Sequence, residues 1–167
     1  MTTKTLTRTA MLLALTLAIQ AFRFPPMITG PLVNFMLVLS VLLVGTAGGV
    51  FIGGVTPLVA LLTGILPAPM APAVPFIMAG NAVLCLIVGA FPNTAKLQAM
   101  GVVLGSFAKF AVIGGAASFV LTLPAPAAQM LVFPQLTNAL LGGLFAVSMA
   151  YTLNWSVFAP KEHGTDS

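Results

Sequence analysis

The sequence predicts an all-α integral membrane protein of six spans with both termini on the cytoplasmic side. Three observations carry this. Fifty-nine per cent of the residues are hydrophobic and the mean hydropathy is +1.13, with six basic and two acidic side chains in 167 residues. That is too little polar surface to cover a water-soluble globule. No charged residue occurs between Arg23 and Lys96, a run far longer than the roughly 20 residues that cross a bilayer once. Finally, the apolar residues run continuously instead of alternating, which disfavours the strands of an outer-membrane barrel.

Taken in order, the spans are expected near 5–24, 32–46, 48–65, 75–91, 97–121 and 134–157. The first begins in "TRTAMLLALTLAIQAFRF", where Lys4 and Arg8 precede an apolar helix. No A-x-A cleavage site follows it, so it reads as a span and not as a removable leader. The charge-free run must fold back on itself. "GTAGG" at 45–49 is short and small enough for a tight turn between the second and third spans, and the prolines of "LPAPMAPAVP" at 66–75 stop the third. "FPNTAK" separates the fourth from the fifth, and "LPAPAAQMLVFP" the fifth from the sixth. The chain reads as one membrane domain over 1–160 with a polar tail, "KEHGTDS", at 161–167. Six spans place Lys4, Arg8, Lys96 and Lys161 on one side and Arg23 alone on the other. The excess of positive charge marks the first side as cytoplasmic.

Several residue groups stand out from this apolar background. Ala10, Ala14 and Ala18 recur every fourth position and so form one narrow row along the first helix. Small residues in a row let a second helix approach closely, a main source of association where lipid removes the hydrophobic effect between helices. Lys109, in "GSFAKFAVIGG", sits about a dozen residues into the fifth span, on the order of 16–18 Å deep. A lysine there costs about 3 kcal/mol or more to insert unless it meets an anion, a carbonyl or water. The only acids, Glu162 and Asp166, are in the tail. The amine therefore either snorkels along its stem to an interface or faces a polar cavity. Asn34, Asn81, Gln135 and Asn138 favour the cavity, because all fall within about two turns of the non-cytoplasmic ends of their helices, where Gln20 and Arg23 also emerge. A single amide more often only bridges two helices.

The same inventory disfavours catalysis. His163 is the one histidine and lies in the tail, Cys85 is solitary, and no carboxylate lies within a span, so no base, nucleophile pair or metal-ligand set is expected, and no cofactor. "GTAGGVFIGG" follows no strand and is no nucleotide loop. No basic cluster with interleaved aromatics suggests nucleic acid. A proton-driven carrier lacks the intramembrane carboxylate for coupling. A binding subunit that borrows its energy from elsewhere is what is left.

Six spans in so short a chain, the Ala10/Ala14/Ala18 row after Lys4 and Arg8, "GPLVNFMLVLSVLLVGTAGGVFIGGVTPLVALLTGILP" across the second and third spans, "FIMAGNAVL" in the fourth and "GSFAKF" in the fifth resemble the substrate-binding S components of energy-coupling factor (ECF) vitamin transporters. The resemblance covers nearly the whole chain, and the A-x-x-x-A element is its most specific part. It implies a multi-pass protein of a prokaryotic plasma membrane that captures a water-soluble vitamin or precursor on the extracellular side, under the loop joining the first two helices. It also implies that the alanine row docks on a transmembrane coupling protein attached to two ATPase subunits, and that the S component topples in the membrane to release its cargo inside. The expected substrate-binding residues are Lys109, Asn81, Gln135, Asn138, Asn34, Gln20 and Arg23. The competing class is a non-transporting membrane scaffold or assembly factor, in which the same amides would be interhelical glue.

Overall fold

The computed structural model describes residues 3–153. Among them the chain forms six long helices: α1 (Thr3–Ala21), α2 (Pro26–Val44), α3 (Thr46–Leu62), α4 (Val74–Ala90), α5 (Ala95–Phe119) and α7 (Phe133–Thr152). A 3-10 turn (Ala68–Ala73) leads into α4, and a six-residue helix, α6 (Ala125–Met130), leads into α7. Four stretches are long and apolar enough to cross a membrane: Pro26–Val44, Ala68–Ala90, Ala95–Phe119 and Ala125–Thr152. Thr46–Leu62 is apolar but shorter.

Local chemistry explains where the helix ends differ from expectation. α2 starts six residues earlier than the spacing suggested, because Pro25 sits at the cap and Pro26 in the first turn, where a missing N–H costs nothing. The Thr29 hydroxyl donates to the Phe24 carbonyl and tightens that turn. Pro31 lies inside α2 and cannot donate to the carbonyl four residues earlier. Between α2 and α3 the break is Gly45 alone, whose φ of 87° is open to glycine. Gly48 and Gly49 are helical and buried, so the expected "GTAGG" turn is narrower than its composition suggests. Thr94 caps α5 by accepting from the Leu97 N–H at 3.4 Å. The last helix is helical through Thr152; the expected extension to 157, Trp155 and the 161–167 tail lie outside the described residues.

Five helices close a ring in the order α2, α3, α4, α5, α7, with α2 against α7 the most extensive contact. α1 lies outside this ring, packed mainly against α2 and α3. The ring is filled unevenly. At the end where α2 stops and α3 starts, Leu37, Val38, Ile52, Leu84, Cys85, Val88, Val102 and Ala146 form a dry core. At the other end the space between the helices is open. The outer surface is apolar, with Met11, Leu15, Phe51, Leu86, Phe107, Leu141 and Phe145 among its exposed side chains, while Asn34, Asn81 and Lys109 are buried inside. Apolar outside and polar inside suits a hydrocarbon solvent, and in water such patches would associate.

The contact between α2 and α7 depends on Gly142. A Cβ there would run into the Pro31 carbonyl and come within 2.7 Å of the Phe35 nitrogen, backbone atoms that cannot swing aside. Gly142→Ala is therefore expected to destabilise the protein by roughly 1–3 kcal/mol or more. Gly115, where an added Cβ meets nothing within 4 Å, is the control. Gly115→Ala should leave the thermal midpoint in detergent unchanged or raise it through helix propensity, and equal effects at the two positions would contradict this packing.

Candidate functional site: a cavity built around Lys109

The open end of the ring holds a cavity of about 560 Å³. Its wall comes from the last turn of α1, the first halves of α2, α4 and α7, the last turns of α3, and the middle of α5. The up-and-down order of the helices brings these pieces to one end. All seven residues that the sequence analysis singled out, Gln20, Arg23, Asn34, Asn81, Lys109, Gln135 and Asn138, line this one space.

Lys109 is 2% exposed and does not snorkel. Its amine donates to Asn34 Oδ1 at 2.6 Å and to Asn81 Oδ1 at 2.7 Å, short distances typical of bonds from a charged donor. Both amides are oriented from behind. Asn34 Nδ2 donates to the Gly30 carbonyl within α2 at 2.8 Å, and Asn81 Nδ2 donates across to the Gly53 carbonyl of α3 at 2.9 Å. A lysine amine has no acceptor, so each asparagine must turn its oxygen to Lys109 and its nitrogen to the backbone. The cluster thus joins α2, α3, α4 and α5 through four hydrogen bonds. The third proton of the ammonium has no protein acceptor among the described residues.

The remaining amides behave differently. The side-chain amides of Gln20, Gln135 and Asn138 line the cavity and make no hydrogen bond among the described residues. Gln20 is buried and its Oε1 has no partner; Gln135 and Asn138 are half-buried. Room for Asn138 comes from Gly30, where a Cβ would run into the asparagine amide. Arg23 sits at the mouth with a left-handed φ of 50° and donates to the Thr63 carbonyl at 3.2 Å, tying the α1–α2 linker to the end of α3. Its side chain is water-exposed.

Apolar groups complete the wall, among them Met27, Thr56, Pro57, Met70, Ile77 and Leu131. Sequence reasoning missed these, because an apolar side chain facing a cavity reads the same as one facing lipid. Only Thr56 carried a signal, and its hydroxyl is returned to the Ile52 carbonyl at 2.9 Å. Among the described residues no three His, Cys, Asp or Glu side chains gather as they would around a metal. Cys85 is buried in the dry core, away from the cavity wall.

Ala10, Ala14 and Ala18 lie on the exposed face of α1, opposite buried Thr9, Thr16 and Gln20. The buried threonines return their hydroxyls to the carbonyls of Thr5 and Leu12, which leaves the Gln20 Oε1 as the unpartnered polar atom on that edge.

Comparison with protein-family models, curated proteins and solved structures finds no match to this chain. The site is therefore read from its own chemistry.

The lysine and its two amides act as a unit, which a double-mutant cycle can measure. Lys109→Met alone strands two buried oxygens, and Asn34→Leu alone strips an acceptor from a buried amine. The double variant strands only Asn81 Oδ1 and leaves no buried amine. The two single losses should exceed the double loss by roughly 1.5–3 kcal/mol of unfolding free energy; additive losses would mean that the 2.6 Å bond contributes nothing.

Proposed function

We propose that this chain is the substrate-binding subunit of an ECF-type importer, which captures a small water-soluble vitamin or precursor and hands it inward when docked on an ATP-driven coupling module. The observation that carries the reading is the cavity around Lys109, with three hydrogen-bonding amides left open beside it. About 560 Å³ falls within the 300–1,000 Å³ typical of small-molecule sites, and an apolar wall with a few convergent polar groups is their usual make-up. A scaffold that only held helices together would gain nothing from leaving these amides unsatisfied.

In this reading the chain crosses a prokaryotic plasma membrane six times with both termini inside, and the cavity opens to the outside. α1, peripheral to the ring with its alanine row outward, is the surface offered to a transmembrane coupling protein carrying two ATPase subunits. The exposed row fits this role because packing against it needs no rearrangement of the subunit's own core.

Two experiments test the proposal. Ala14→Trp should leave the thermal midpoint of the isolated subunit unchanged, while cutting vitamin uptake by cells that also express the coupling module by tenfold or more. Unfolding of the isolated variant, or undiminished uptake, would refute docking through this face. For topology, single cysteines at Thr122 and Asn93, both exposed at helix ends, are made in a Cys85→Ala background. An impermeant maleimide added to intact cells should label position 122 and spare position 93; the reverse pattern would invert the assignment.

A further inference from the structure

We infer that the occupant of the cavity is a carboxylate-bearing molecule with a neutral amide- or lactam-like part, bound with its acid on Lys109 and its neutral polar part against Gln135 and Asn138. This rests on the reading of the cavity as a binding site and adds the ligand's charge and orientation. The polar groups of the wall divide into two layers. Asn34 and Asn81 lie eight and seven residues into α2 and α4, about 10–12 Å from those helix starts at 1.5 Å per residue. They hold Lys109, and their hydrogen-bonding atoms toward the protein are used. Asn138 and Gln135 lie five and two residues into α7, about 3–8 Å from its start, and their amides are unused.

Charge selects the ligand for the deep layer. Lys109 is buried, two of its three protons are held by neutral oxygens, and no carboxylate occurs among the described residues. An anion brought by a ligand would accept the third proton and supply the missing counter-charge in one step, a charge-assisted bond in a water-poor site. Arg23 does not compete on these terms, because its exposed guanidinium keeps its hydration. In the upper layer each open amide offers an NH2 donor group and a carbonyl acceptor, which matches a ligand amide, ureido group or ring lactam and discriminates against a second charge. The apolar side chains of Ile77 and Met70 in the same wall suit a short hydrocarbon or ring body.

The test uses matched probes: nicotinate with nicotinamide, pantothenate with panthenol, and biotin with biotin amide, each titrated against the purified protein. Small molecules released on denaturing the same preparation are identified by mass spectrometry. The inference expects an acid to bind at least tenfold tighter than its neutral counterpart, or an acid to be the molecule released. Lys109→Met should abolish the preference for the acid, and Asn138→Leu should weaken acid and neutral members by similar factors, about tenfold. Equal or tighter binding of a neutral member, a preference that survives Lys109→Met, or release of a neutral or cationic molecule would overturn the inference while leaving a binding subunit in place. If no probe binds and nothing is released, the binding reading itself falls.

Discussion

The structure depends on one buried amine that meets no acid among the described residues. Lys109 is tolerable at that depth because two amide oxygens converge on it within 2.7 Å, and those oxygens can converge only if α2, α4 and α5 hold fixed positions around a space. Asn81 extends the constraint to α3 through the Gly53 carbonyl. A cluster of this kind is expensive to leave half-made. It therefore adds directed bonds to the smaller apolar cluster of Met70, Ala73, Ile113, Ala117 and Leu131 that packs at the cavity end.

That division of labour is visible along each helix. α2 begins with a proline-started turn and an inward asparagine, and finishes in the Leu37, Val38 and Val41 core. α4 runs likewise from Asn81 to Leu84, Cys85 and Val88, and α7 from Gln135 and Asn138 to Ala146 and Val147. One end is held by volume filling, the other by a smaller apolar cluster together with directed hydrogen bonds. A site can be built only in the second, since filling leaves no room and directed bonds leave both room and orientation.

Much of this was legible in the sequence because the signal was contrast. A polar residue in a charge-free run is conspicuous, and helices that alternate direction bring such residues to one end whenever they share a distance from the same side. Hence Asn34, Asn81, Lys109, Gln135 and Asn138 could be grouped before any coordinates. The roles within the group were not legible, because nothing in spacing says that Asn34 and Asn81 hold the lysine while Gln135 and Asn138 stay open; that depends on which helices touch. Helix ends were misplaced where proline is ambiguous. Pro26 starts a helix, Pro31 and Pro57 sit inside helices, and α3 ends at Leu62, before Gly64 at φ 67° and ahead of the prolines expected to stop it. The cavity's apolar wall had no contrast at all.

α1 has a consequence that follows from stiffness. Nineteen residues of uninterrupted helix make a rod about 28 Å long, and it touches the rest of the bundle along one side only. Ala18 on its outer face and Gln20 in the cavity wall are two residues apart on that rod. Whatever leans on the outer face of α1 must carry Gln20 with it, so a push on that face and the width of the cavity are two readings of a single displacement.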